Sequence, residues 1–181
     1  MLWLAHDEIY DRVYVIEELY QSGMTPEVFA REVLRTDRLL VLSDGSDTFC
    51  NDQPLGGVID SASFADTGMG GGRADQMNKL GCRWRAAEKG AGSRLAGIAA
   101  IHARLAAVKD GMPRLIVFRD CRNLIRTLPA MVYSRTNPED IDDSCEQHAV
   151  DALQYGLTRR KIEFRLIPVY GIRSTISDDS N

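Results

Sequence analysis

Long apolar runs are absent from this sequence, and so are the usual marks of secretion. No stretch approaches the roughly 18 apolar residues of a membrane-spanning helix, and no charged segment leads into a signal-like apolar one. Positive charge is also scarce, because 22 Lys and Arg stand against 26 Asp and Glu for a net charge of −4. That balance argues against a protein that coats nucleic acid regardless of its sequence. We expect a cytoplasmic protein without a membrane partner.

Cysteine and histidine are few, with four and three copies. Cys50, Cys82, Cys121 and Cys145 are far apart and form neither a CxxC pair nor a zinc-ligand spacing with the histidines. We interpret them as free thiols in a reducing compartment. A phosphate-binding G-x-x-x-x-G-K-[ST] segment is missing too, and the Gly-rich "GMGGGRADQ" lacks the required lysine, so we interpret it as a flexible loop.

The remaining pattern is typical of one α/β domain. The 181 residues, 44% of them hydrophobic, are enough for a single core. "LWLAHDE" and "RVYVIEELY" predict an antiparallel hairpin, and strands then alternate with helices, which favours a mixed sheet flanked by helices. We predict a domain over residues 1–170 and a loose tail over 171–181.

Several element limits follow from local signals. Thr25 and Pro26 predict the start of a helix that ends between residues 35 and 39. The turn formers of residues 43–57 predict a loop. The acidic stretch "EDIDDSCEQHAVDALQYGLTRR", residues 139–160, is interpreted as the last long helix.

Acidic residues are the first candidates for chemistry. The run "GVIDSASF" predicts a buried strand that ends at Asp60, and ligands of α/β sheets bind beyond such strand ends. On the last helix His148 and Asp151 are three residues apart and share a face. The stretch also contains a dense set of carboxylates: Glu139, Asp140, Asp142, Asp143, Glu146 and Asp151.

Plainer interpretations of the same residues remain open. Asp60 is equally suited to cap a turn. Asp151 shares its side of the helix with Gln147 and Gln154, as a solvated face would. Asp142 and Asp143 would also suit the positive end of a helix dipole.

Grouped carboxylates suit one kind of reaction especially well. Carboxylate oxygens are the preferred ligands of Mg²⁺ and Mn²⁺. A two-metal site uses them to stabilise the attacking and leaving oxygens of a phosphodiester displacement. A strand-end Asp beside a helix that carries Asp and His therefore favours metal-assisted hydrolysis.

The order of three segments resembles a known family. "RVYVIEELYQSGMTPEVFAREV", "GVIDSASF" and "EDIDDSCEQHAVDALQYGL" resemble successive parts of the C-terminal nuclease domain of bacteriophage large terminase subunits, which has a ribonuclease H-like fold. The resemblance spans residues 1–160. It implies a Mg²⁺- or Mn²⁺-dependent endonuclease that cuts concatemeric viral DNA during packaging. The implied partners are double-stranded DNA, the terminase ATPase domain, the small terminase subunit and the portal protein.

The resemblance also assigns site residues. Asp60 matches the second acidic position, and Asp151 matches the one on the final helix, within a pattern resembling H-x-x-D-A-x-x-Y. His148 is implied as a further metal ligand or orienting group, and Glu146 and Asp143 as weaker metal ligands.

The start of the chain departs from the family pattern. Members carry the first catalytic Asp in an opening strand with a G-x-D-x-G-like signature, whereas Met1 falls within what resembles the second strand. We therefore expect a sheet without the first strand and impaired or absent activity of the isolated chain.

Two groups of cations are candidates for contact with DNA phosphates. Ordinary surface charge is the alternative for both groups. They are Arg83, Arg85, Lys89 and Arg94 around the segment "CRWRAAEKGAGSR", and Arg159, Arg160 and Lys161 after the last helix.

Two rival functions stay open. The first is a nuclease-dead prophage fragment that acts as an interaction module. The second is another ribonuclease H-like enzyme, such as a junction resolvase or an exonuclease.

Overall fold

The computed structural model describes residues 1–42, 55–66, 68, 70–106, 111–135, 137 and 140–158. The strands of this part are β1 Leu2–Asp7, β2 Arg12–Glu18, β3 Gly56–Ile59, β4 Arg83–Ala86 and β5 Leu115–Val117. The α-helices are α1 Pro26–Leu42, α2 Arg73–Lys79, α3 Ser93–Leu105, α4 Arg122–Thr127 and α5 His148–Thr158. Short 3₁₀ turns follow β3 at Ser61–Phe64 and α4 at Leu128–Ala130. The alternation of strands and helices expected from the sequence is confirmed.

The N-terminal hairpin supplies two strands of a mixed three-stranded sheet, with β2 in the centre. β1 and β2 are antiparallel, and β2 pairs in parallel with β5, which gives the order β1-β2-β5. Because side chains alternate between the faces of a strand, Leu2 and Leu4 pack with the core on the side of α3, α4 and α5. Trp3 packs with α1 and α2 on the other side. Helices therefore cover both faces of the hairpin.

A parallel pair, β3 and β4, forms a second sheet. Gly57 allows the pair to pack closely, since a Cβ there would lie 2.5 Å from Cζ3 of Trp84. Buried Asp37 of α1 links this sheet to the hairpin: it accepts hydrogen bonds from Trp3 Nε1 at 2.8 Å and from the backbone N–H of Leu55 at 3.2 Å. Among the described strands, none pairs with the outer edge of β1 or of β3.

Two predicted helix limits are wrong. α1 continues to Leu42, beyond the expected end at residues 35–39. The last helix begins at His148 rather than near residue 139. The described residues before it form turns, in which Asp142 accepts hydrogen bonds from the backbone N–H and the hydroxyl of Ser144. Such side-chain bonds to nearby backbone compete with helix formation.

Some expectations involve residues outside the described ranges. Most of the loop at residues 43–57 is among them, and so are Arg159, Arg160, Lys161 and the tail at 171–181. The domain limits at 1–170 and 171–181 therefore stay a prediction. Across the described ranges, none of the helices combines the length and the apolar character that crossing a bilayer requires.

Candidate functional site

Asp60 lies immediately after β3, and its Oδ1 makes two contacts. Its Oδ1 accepts the backbone N–H of Ala62 at 2.8 Å, which caps the 3₁₀ turn at Ser61–Phe64. The same Oδ1 also forms an ion pair with the ammonium of Lys89 at 2.7 Å. Lys89 follows β4, the partner strand of β3. The pairing of the two strands therefore brings this cation to the strand-end carboxylate.

Helix α5 also contacts Asp60. The hydroxyl of Tyr155 donates to Asp60 Oδ2 at 3.3 Å, and the ammonium of Lys89 lies 5.7 Å from the centre of the Tyr155 ring. Asp151 lies one turn before Tyr155 on the same helical face. Strand end, β4 loop and α5 therefore meet at one point.

Small side chains and close contacts hold α5 in this position. A Cβ on Gly97 of α3 would lie 2.9 Å from Cβ of Gln154, a buried residue of α5. A Cβ on Gly156 would lie 3.2 Å from Cδ2 of Leu4 in β1. The glycines thus let α5 lie against both α3 and the hairpin.

The two aspartates differ in electrostatic environment. Burial raises the pKa of Asp60, but hydrogen bonds from Lys89, Ala62 and Tyr155 outweigh it, so the pKa lies below its ordinary value. Burial raises the pKa of Asp151, opposed by the charges of Arg94 and His148, and the negative charge of Asp60 raises it further. The charge of Asp60 therefore acts on Asp151. The ionised form is favoured at Asp60 and disfavoured at Asp151.

The other predicted metal ligands make contacts away from Asp60. Glu146 accepts hydrogen bonds from both terminal nitrogens of Arg126, at 2.7 and 2.8 Å, and from the hydroxyl of Tyr20. Asp143 is 91% exposed and pairs with Arg94 at 3.2 Å. His148 is exposed at the start of α5, and its charge lowers the pKa of both Glu146 and Asp151.

The predicted DNA-contacting cations also separate into different environments. Arg83 and Arg85 are exposed on β4. Arg94 pairs through Nε with Asp140 at 2.8 Å and donates to the backbone oxygen of Ile141 at 3.1 Å, so it fastens the turns before α5 to α3. Only Lys89 touches Asp60 among the described cations.

Asp60 and Asp151 carry the carboxylate oxygens that a hard cation prefers as ligands. Mg²⁺ usually keeps several waters, and one or two protein carboxylates are enough to hold it. Among the described residues no group of three or more His, Cys, Asp or Glu side chains is placed to hold a metal. The Asp60 carboxylate pairs with the ammonium of Lys89 at 2.7 Å, so its present cationic partner is a side chain of the same chain.

Sequence reasoning missed the role of two residues here. The sequence places Lys89 only among the candidate DNA-contacting cations, and Tyr155 appears there only as the final tyrosine of the H-x-x-D-A-x-x-Y pattern. The available signal is that Lys89 lies just beyond a strand that pairs with the one ending at Asp60, but the paired residues, such as Gly56 and Arg83, are far apart in the sequence and their pairing is not encoded locally.

Comparison with known proteins supports the fold. No protein-family profile and no curated protein matches the chain. A solved structure does match: the crystal structure of the nuclease domain of the large terminase of bacteriophage SPP1, with bound Mn. The two chains are 18% identical with a TM-score of 0.52, and the match covers 85% of this chain and 74% of the other. The chain therefore has the ribonuclease H-like α/β fold of that nuclease domain, as the sequence predicted.

Proposed function

We propose that the chain is a metal-dependent nuclease domain of a phage or prophage terminase, which hydrolyses phosphodiester bonds of concatemeric viral DNA during packaging. The observation that supports the proposal is the contact of Asp60 with Tyr155 of α5, one turn after Asp151, on a fold shared with a terminase nuclease domain. The proposed partners are double-stranded DNA, a terminase ATPase domain, a small terminase subunit and a portal protein, in the cytoplasm of the bacterial host.

The residues present define what each would contribute. Asp60 and Asp151 would hold Mg²⁺ or Mn²⁺, which when bound polarises a phosphoryl oxygen and favours a hydroxide nucleophile. Tyr155 orients Asp60 through its hydroxyl. Exposed Arg83 and Arg85 on β4 are suited to contact DNA phosphates, close to the strand that ends at Asp60. A two-metal version of the site needs a further carboxylate beyond Asp60 and Asp151.

The test is cleavage of supercoiled plasmid with Mn²⁺ by the wild type and by Asp60→Asn and Asp151→Asn. Each substitution removes a charged ligand while keeping the side-chain shape, so we expect each to slow cleavage by about 100-fold or more. Asp120→Asn, at an exposed turn after β5, is the matched control and should cleave like the wild type. Circular dichroism checks that all variants are folded.

Cleavage that both substitutions leave unchanged would contradict the assignment of Asp60 and Asp151. A clear preference for branched junctions would favour a junction resolvase instead.

One observation favours a second candidate, a nuclease-dead interaction module. The described part of the chain contains no group of three or more potential metal ligands, whereas a two-metal site uses several carboxylates. Binding of Mn²⁺ without any cleavage of plasmid, linear or branched DNA would support this candidate over the enzyme.

A further inference from the structure

We propose that the ammonium of Lys89 is a built-in competitor for the divalent cation at Asp60, so that metal binding must displace Lys89 from this carboxylate. The inference rests on the proposed function, because it concerns the same metal-binding carboxylate. It assigns Lys89 a role in controlling metal occupancy rather than in holding DNA alone.

The first step is a count of the positions on Asp60. A carboxylate offers about four lone-pair positions, two on each oxygen. Oδ1 accepts from the backbone N–H of Ala62 at 2.8 Å and from Lys89 Nζ at 2.7 Å, so both of its positions are used. Oδ2 accepts from the Tyr155 hydroxyl at 3.3 Å. A metal that binds through Oδ1 therefore has to replace a partner, and Lys89 is the one that is not part of the backbone.

The second step is electrostatic. A metal that used the remaining position on Oδ2 would still lie within a few ångströms of the Lys89 ammonium, and like charges at that separation repel. The Tyr155 ring also attracts the ammonium, whose nitrogen lies 5.7 Å from the ring centre, within the range of a cation–π contact. Whichever oxygen the metal binds, Lys89 in this position lowers its affinity.

The third step is that Lys89 can move away. Its side chain is 43% exposed and that of Asp60 41%, and the residue belongs to an exposed segment after β4. An exposed ion pair of this kind is worth up to about 1 kcal/mol, which a divalent ion can overcome. The pair therefore tunes metal affinity without blocking the site permanently.

The experiment is Mn²⁺ titration of the full chain at low ionic strength, with bound metal measured by electron paramagnetic resonance. We expect Lys89→Met to bind Mn²⁺ about three to five times more tightly than the wild type, the factor that corresponds to the worth of such an ion pair. Lys89→Arg keeps the charge and should bind like the wild type. Lys79→Met removes an exposed lysine that bonds the backbone oxygen of Gly70, and it should also bind like the wild type.

The sign of the change decides the outcome. If Lys89 instead positions Asp60 for the metal, Lys89→Met binds more weakly, and if it acts on DNA alone, the affinity stays the same; either result overturns the proposal. Failure of the proposed function gives a different result, because Asp60→Asn would then bind Mn²⁺ as tightly as the wild type does. Absence of Mn²⁺ binding in every variant, Lys89→Met included, overturns both.

Discussion

At the scale of single residues, Asp60 combines a structural and a chemical role. It caps the turn at Ser61–Phe64 through Oδ1 and meets α5 through Oδ2. The two interpretations that the sequence leaves open for this residue, a turn cap and a metal ligand, are therefore compatible. A carboxylate that is fixed by a backbone N–H has little side-chain freedom left to lose when it binds an ion.

Glu146 gives a residue-scale prediction of pH dependence. Hydrogen bonds from Arg126 and Tyr20 lower the pKa of Glu146 from 4.5 to about 2. A carboxyl group with a lowered folded-state pKa stabilises the fold above its ordinary pKa and loses that contribution as the pH falls through the folded value. We expect Glu146→Gln to lower the urea midpoint at pH 7 and to reduce the loss of stability between pH 4.5 and pH 2.

The matched control for this prediction is Glu88→Gln, at an exposed position after β4. Urea unfolding followed by tryptophan fluorescence at a series of pH values provides the measurement. Identical pH profiles for the wild type and Glu146→Gln would show that the contact with Arg126 and Tyr20 contributes nothing to stability.

At the scale of elements, α5 shows both the reach and the limit of local sequence signals. Its apolar face and the spacing of His148 and Asp151 are visible in the sequence, and the helix carries both residues as expected. Its start was predicted about nine residues too early. Residues 139–147 contain neither Gly nor Pro, the usual helix breakers. The hydrogen bonds from Ser144 to Asp142, which favour turns over a helix there, become evident only in three dimensions.

The contact between α3 and α5 gives an element-scale prediction. A side chain at Gly97 would overlap Cβ and Cγ of Gln154, each 2.9 Å from the Cβ position. Because these atoms are close to the α5 backbone, the helix itself must shift, and overpacking of this kind costs about 1–3 kcal/mol. We expect Gly97→Val to lower the free energy of unfolding by about 2 kcal/mol in urea titrations.

Ala99→Val provides the control on the same helix. Ala99 is exposed, so valine there loses only helix propensity, about 0.5 kcal/mol. Equal destabilisation by the two valines would mean that α3 and α5 do not pack as closely as the structure shows.

At the scale of the whole molecule, the order of elements was predictable and their pairing was not. Periods of two and of about 3.6 residues mark strands and helices locally, and the hairpin, the alternation and the strand end at Asp60 all followed from them. The parallel pairing of β2 with β5 joins residues about 100 positions apart. The ion pair of Lys89 with Asp60 likewise depends on the pairing of β3 with β4, so neither contact has a local signal.

The central claim is that Asp60 and Asp151 together hold a divalent ion, and a crystal of the chain soaked in Mn²⁺ tests it most directly. We expect an anomalous difference peak between the two carboxylates, within about 2.0–2.2 Å of an oxygen of each, and loss of that peak in Asp60→Asn. Manganese bound only elsewhere on the molecule, or a peak that persists unchanged in Asp60→Asn, would contradict it.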